Sequence, residues 1–212
     1  MKPKVIVVTD RRIMNLQFTE KMASLCESGA DMIILREKDL MEPEYRYLAI
    51  ESAAICTEYG VPLCINNYPD TAKAMGIENV QLPLKKMRVL EDREELKSIG
   101  VSVHSLKESE EAAKLGADYL IVGPIFPTEC KPGVEPKGPK LIGEILGKVN
   151  LPVYAIGGIT PYNVKYVAIE GASGVCIRSS AMTSDNPAIL FREFRTNFEA
   201  GLKHLEIAGD LV

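Results

Sequence analysis

The sequence predicts an α/β fold, a (β/α)8 TIM barrel spanning residues 1–212 as one domain, and three observations carry that expectation. Short apolar runs recur eight times at fairly even intervals, nearly all uninterrupted, as strands buried on both faces of a parallel sheet require. A phrase of helix, Gly-Ala-Asp or Gly-Ala-Ser, then strand occurs at Gly29-Ala30-Asp31, Gly116-Ala117-Asp118 and Gly171-Ala172-Ser173. Each marks a helix returning to the base of the next strand. The first strand-to-helix turn, Thr9-Asp10-Arg11-Arg12, lacks the GxGxxG fingerprint of the competing doubly wound sheet.

In chain order, the expected strands begin with Val5-Ile6-Val7-Val8, Met32-Ile33-Ile34-Leu35, Pro62-Leu63-Cys64-Ile65 and Val80-Gln81-Leu82. Val101-Ser102-Val103, Tyr119-Leu120-Ile121-Val122, Val153-Tyr154-Ala155-Ile156 and Gly174-Val175-Cys176-Ile177 complete the eight. Residues 108–115 are strong helix formers; Ser105 to Glu108 fits a capping box, and Gly116 reads as the left-handed stop. Residues 139–149, 161–170 and 186–205 supply further helices, with prolines suited to their first turns. The longest loop, 126–139, is rich in proline, glycine and charge, the composition of a lid or binding loop.

Apolar content of 46% and charged content of 25% over 212 residues are those of an ordinary globular chain near the lower size limit of this fold. A net charge of −4 argues against a nucleic-acid surface, and no window approaches the ~18 apolar residues of a membrane span. The start of the chain has no signal-peptide pattern, so a cytoplasmic setting is expected. Five cysteines without CxxC spacing read as small buried hydrophobes, Cys130 in its polar loop excepted.

The chemistry-bearing residues cluster just after the apolar runs, where a barrel gathers its active site. Gly157-Gly158 after the seventh strand, and Arg178-Ser179-Ser180 after the eighth, offer backbone N–H and hydroxyl donors where barrels usually hold phosphate. A tight turn is the plainer explanation for the two glycines. Arg36 and Lys38 end the second strand with spacing that projects both side chains the same way, as an anion would require; Glu37 could instead neutralise them. His104 follows the fifth strand, and histidine is the residue type suited to carrying a proton in the working range. His204, in a charged terminal helix, is expected to be solvated.

With these residues in view, the chain resembles the thiamine phosphate synthase/TenI superfamily along nearly its whole length. The matching phrases are VVTD at 7–10, LREKDL at 35–40, Ile65-Asn66, GADYLIVGPIFPT at 116–128, Lys131-Pro132 and LPVYAIGGITPYN at 151–163. The resemblance implies a (β/α)8 barrel, usually a homodimer. In the synthase branch a pyrimidine diphosphate is coupled to a thiazole phosphate, and the pyrophosphate leaves with Mg²⁺ held through two aspartates. Asn67 and Lys86 stand at those two positions, and Cys130 replaces the second threonine of a PTxTK phrase.

VQLP at 80–83, SVHSL at 102–106 and ECKPG at 129–133 are similar instead to the TenI-type thiazole tautomerases. That likeness implies aromatisation of a dihydrothiazole carboxylate phosphate by proton transfer, without a cofactor or metal. It implies His104 as the acid/base. Asn66, Ser102, Thr128, Lys131, Gly157, Gly158, Ser179 and Ser180 are implied as substrate or phosphate contacts. Arg36 and Lys38 would face the carboxylate or the phosphate, unassigned between the two. The alternatives are a divergent Mg²⁺-using synthase and a non-catalytic thiazole phosphate-binding protein; no nucleic-acid or membrane partner is expected.

Overall fold

A computed structural model describes residues 2–129 and 133–209, with side chains described as far as Lys203 in the last helix. Cys130, Lys131 and the side chain of His204 therefore lie outside the described residues. Eight parallel strands close into a barrel in chain order: β1 (Lys4–Val8), β2 (Met32–Leu35), β3 (Leu63–Asn66), β4 (Asn79–Pro83), β5 (Ser98–Val103), β6 (Tyr119–Val122), β7 (Val153–Ile156) and β8 (Gly174–Ile177). Closure comes from β1 pairing with β8, Ile6 opposite Cys176. Every expected strand is present, and the apolar runs were informative because both faces of each strand are covered.

The strand period of two sorts the apolar residues into two cores. Ile6, Val8, Ile34, Cys64, Tyr119, Ile121, Tyr154 and Cys176 fill the barrel lumen. Their neighbours in sequence, among them Val7, Ile33, Leu35, Ile65, Leu120 and Val175, pack outward against the helices. Tyr119 and Tyr154 meet edge to face in the lumen, with ring centroids 5.5 Å apart. Gly100 leaves room for them, since a Cβ there would sit 2.1 Å from the Tyr119 ring.

The helices are α1 (Phe18–Glu27), α2 (Glu42–Glu58), α3 (Pro69–Ala74), α4 (Leu84–Met87), α5 (Leu106–Lys114), α6 (Lys140–Leu146), α7 (Val164–Ile169), α8 (Ser179–Thr183) and α9 (Pro187–Gly209). A 3-10 turn covers Arg11–Ile13. The repeated phrase has one local geometry. Gly29, Gly116 and Gly171 take φ of +85°, +85° and +88°, and each following alanine is buried. Asp31 then accepts the Val5 N–H at 2.8 Å and Asp118 the Ile99 N–H at 2.8 Å, capping the base of the preceding strand.

Two local expectations need correction. Ser105 does cap α5, its hydroxyl accepting the Glu108 N–H at 3.2 Å, but Glu108 reaches back to the His104 N–H at 2.6 Å and not to the cap residue. Helix α7 begins at Val164, three residues after Pro161. Asn163 ties down that turn, accepting the Thr160 N–H and donating to the Gly158 carbonyl.

Candidate active site

At the C-terminal rim, the residues one step above the lumen layer are polar where the layer below is apolar. Val8 is followed two positions on by Asp10, Ile34 by Arg36, Cys64 by Asn66, Gly100 by Ser102 and Cys176 by Arg178. The same period that buries the lumen therefore delivers a polar ring to the mouth.

On the β1–β2–β8 side the ring is cationic. Arg178 donates to Asp10 at 3.2 Å, and Arg12 holds the same carboxylate through contacts of 2.9 and 3.1 Å. Burial lifts the Asp10 carboxyl, but the Arg12 hydrogen bond and the Arg12 and Arg178 charges outweigh it, and the group titrates below its usual range. Arg36 lies beside this pair, half-buried, with no side-chain hydrogen bond or ion pair among the described residues. Burial first, and then the charge of Arg178, pull its guanidinium below its ordinary value. Two guanidiniums sharing one carboxylate form a site with excess positive charge and unused donors.

Glu37 makes no direct ion pair with Arg36 and acts on that guanidinium only through its charge. It is buried and committed to the β1 loop, accepting the Thr9 hydroxyl at 2.6 Å, the Arg11 N–H at 3.0 Å and the Arg11 guanidinium at 3.3 Å. Nor do Arg36 and Lys38 continue a strand together. β2 ends at Leu35, and Lys38 is exposed while Arg36 is half-buried.

Gly157 and Gly158 have φ of +97° and +65°, and a Cβ on either would sit 2.7 Å from Pro124 or 2.3 Å from the Pro127 carbonyl. The loop after β6 lies against them, Ile125 and Phe126 donating to the carbonyls of Ile156 and Gly157 at 3.0 Å each. Both glycines are thus required for backbone shape and close approach. Phosphate contact, if made there, uses a turn already fixed by packing. Ser179 and Ser180 open α8 with Arg178 at its N-cap, so the first turn of that helix stands beside the Arg178–Asp10 pair.

Across the mouth, Asn66, Gln81 and Ser102 form a polar strip on β3, β4 and β5. Asn66 stands opposite Gln81 in the ladder, and the Gln81 amide donates to the Ser102 hydroxyl at 2.9 Å. The other amide atom of Gln81 is buried with no partner among the described residues. Tyr45 of α2 fastens this strip to β2: its hydroxyl donates to the Leu35 carbonyl at 2.6 Å and accepts the Asn66 N–H at 3.0 Å. Burial pushes that phenol far up, so it stays protonated. Tyr45→Phe strands a buried N–H and a buried C=O together. We expect it to lower unfolding free energy by about 1–3 kcal/mol, read by urea denaturation.

Asn67 and Lys86 meet directly. Asn67 takes φ +73°, a left-handed conformation that asparagine tolerates better than most residues. Its carbonyl accepts the Lys86 ammonium at 2.7 Å. The ammonium also lies 5.4 Å from the centre of the Tyr68 ring, which itself packs 4.8 Å from Tyr45. These are the two positions where the resemblance implies magnesium carboxylates, and the donor set does not fit that ion. The Asn67 side chain is a neutral amide, and its backbone carbonyl holds the Lys86 ammonium, so neither position supplies an anionic ligand. The fixed cation repels another at roughly 4 kcal/mol per unit charge at about 4 Å.

His104 is exposed and lies off the polar ring. Its Nδ1 bonds to the Gly123 carbonyl, which can only accept, so Nδ1 carries the proton and Nε2 of the neutral ring is free to act as a base. The ring lines a cleft of about 380 Å³ between the starts of α5 and α6, with Ser105, Leu106, Lys137, Lys140, Leu141 and Glu144. Arg36, Arg178, Asn66 and Ser102 do not line it. Thr128 is half-buried in the loop after β6, and Lys131 lies outside the described residues.

The structure thus brings Arg36 to Arg178, and Asn66 to Ser102 through Gln81, while His104 lines a separate cleft and Lys38 is exposed beyond the end of β2. Sequence reasoning missed Asp10, Gln81, Tyr45 and the guanidinium of Arg178, which it had considered only for the donors following it. The signal for Arg178 and Asp10 was available: both fall on the lumen parity of their strands, one step past the apolar run.

Comparison with known proteins adds a family. A model described as thiamine monophosphate synthase (TMP-TENI) matches residues 5–181. A putative thiamine-phosphate synthase 2 of Aquifex aeolicus is 37% identical over 175 residues, covering 82% of this chain and 94% of that protein. The thiamine-phosphate synthase of Clostridium novyi is 34% identical over 188 residues, covering 86% and 92%. Among solved structures, a thiamine phosphate pyrophosphorylase from Pyrococcus furiosus superposes with a TM-score of 0.82 at 31% identity, covering 95% of this chain and 98% of that one.

Proposed function

The chain belongs to the thiamine monophosphate synthase family, and we propose that within it the barrel mouth binds a thiazole phosphate and isomerises it without a metal ion. Arg36, Arg178 and the first turn of α8 hold the phosphate; Asn66 and Ser102 flank the ring; His104 Nε2 moves the proton from ring carbon to exocyclic carbon. The substrate is the dihydrothiazole carboxylate phosphate and the product its aromatic tautomer, so aromaticity supplies the driving force. One observation carries this choice of reaction: the Lys86 ammonium docked on the Asn67 backbone carbonyl at 2.7 Å, beside the position where the coupling reaction calls for a divalent cation. Because His104 opens toward the α5–α6 cleft, the substrate's thiazole end must extend across the mouth toward β5.

A second reading is favoured by similarity. The relatives from Aquifex aeolicus and Clostridium novyi carry the synthase name, and for the reaction type that naming supports pyrophosphate-releasing coupling over isomerisation. On that reading Lys86, with Arg36, would neutralise the leaving pyrophosphate in place of magnesium. The two are separated by giving purified protein the dihydrothiazole carboxylate phosphate and following aromatic absorbance, with and without EDTA. We expect turnover indifferent to EDTA and abolished by His104→Gln, with thiazole phosphate binding retained. Absence of aromatisation, or an unchanged rate in His104→Gln, would remove the isomerase assignment.

A further inference from the structure

Two thiols meet at the foot of the barrel, away from any residue the mouth uses. Cys26 stands in the last turn of α1 and Cys56 in the last turn of α2, and their Sγ atoms lie 4.0 Å apart. Both are free and buried, at 4% and 2% exposure. Two other cysteines are placed differently. Cys64 faces the Tyr119 hydroxyl at 3.8 Å inside the lumen, and Cys176 is buried in the same layer.

Local sequence produces this meeting. α1 packs along α2, and the buried side of α2 carries Ala49 and Ser52 before Cys56, small side chains that allow a neighbouring helix to approach closely. The backbone beyond each cysteine is pinned. The Cys26 carbonyl accepts the Gly29 N–H at 3.0 Å, and the Cys56 carbonyl accepts the Val61 N–H at 2.9 Å. With the helix ends held, a sulfur–sulfur bond of about 2.0 Å needs each Sγ to move by roughly 1 Å, which a side-chain rotation supplies. Cys56 also lines an open cleft of about 240 Å³ with Ala53, Thr57, Pro62, Ile77 and Asn79. That cleft lies where β3 and β4 begin, at the end of the barrel opposite the mouth.

We propose that Cys26 and Cys56 form an oxidation site, which a peroxide entering by this cleft closes into a disulfide between α1 and α2. The sulfur that ionises first displaces hydroxide from the peroxide, breaking O–O and forming S–O. Sulfur is oxidised, the peroxide is reduced, and the hydroxide takes up the proton that the first thiol released. The second sulfur then attacks the sulfenic sulfur: S–S replaces S–O, and the remaining thiol proton leaves with the hydroxyl as water. The contact itself eases the first step. With Cys56 donating to it, the Cys26 thiol is drawn below its ordinary value, while the same bond and burial push Cys56 up. The two positions are 30 residues apart, so the bond closes a loop holding β2 and most of α2 and restricts chiefly the unfolded chain. No mouth residue takes part, and the inference stands whichever reaction the mouth performs.

The test exposes reduced wild-type protein to hydrogen peroxide, then unfolds, alkylates and digests it without reductant for mass spectrometry. A Cys26–Cys56 peptide pair is expected as the main oxidised product, lost on treatment with dithiothreitol, with Cys64 and Cys176 recovered alkylated. The oxidised protein should melt about 5–10 °C above the reduced protein, and Cys26→Ala treated alike should show no rise. Recovery of both Cys26 and Cys56 as free thiols would overturn the proposal. So would sulfinate at either position in place of the crosslink, or a crosslinked protein that melts no higher than the reduced one.

Discussion

Arg36→Met is expected to abolish most phosphate binding while leaving the ligand-free protein as stable as before, or more stable. The arginine gives the fold little: its guanidinium is half-buried, has no hydrogen-bond partner among the described residues, and is disfavoured by burial and by Arg178. Removing it relieves like-charge repulsion and uncovers no partner. A bound phosphate would lose a charge-assisted hydrogen bond worth about 1.5–3 kcal/mol, or roughly 10–100-fold in affinity. The measurement is thermal unfolding with and without inorganic phosphate. A destabilised ligand-free protein that still gains melting temperature from phosphate would show Arg36 to be structural. The opposite signs expected here mark a residue kept for function at some expense in stability.

The second large effect concerns the ion. Replacing Asn67 and Lys86 together by aspartate exchanges one fixed cation and one neutral amide for two carboxylates. Around a site where unit charges interact at roughly 4 kcal/mol, repulsion becomes attraction of similar size. Asn67→Asp/Lys86→Asp should therefore bind Mg²⁺ measurably by calorimetry, with wild type showing no comparable heat. Aspartate accepts the left-handed backbone at position 67 nearly as readily as asparagine, so the fold should survive the change. Wild-type protein binding Mg²⁺ as tightly as the double variant would mean that the Lys86–Asn67 contact yields easily and that this position is a metal site after all.

Much of the fold was legible because barrel strands bury both faces and so appear as unbroken apolar runs, from the first at Val5 to the last at Ile177. Short elements were not. α4 and α8 have four and five residues, too few for a helical period to show. Placement at the barrel mouth was legible wherever position along one strand decided it, as for Arg36, Asn66 and Ser102. It failed where contacts join distant strands. Asp10 meets Arg178 across 168 residues, and Glu37 turns to Thr9 and Arg11 where the local sequence offered Arg36 and Lys38. Lys38 lies past the end of β2 at Leu35, where strand parity no longer sets side-chain direction. His104 directly follows β5 as expected, but its direction is set by the Gly123 carbonyl just past the end of β6.

On the proposed reading the cation-rich mouth holds an anion, and Lys86 stands where the coupling reaction would need a divalent ion. Its sharpest test is to supply hydroxymethylpyrimidine diphosphate and thiazole phosphate to the purified protein and measure pyrophosphate, with excess Mg²⁺ and again with EDTA. We expect no release above background in either condition. Pyrophosphate release that requires Mg²⁺ and stops on chelation would contradict the site as drawn and make the chain a synthase in deed.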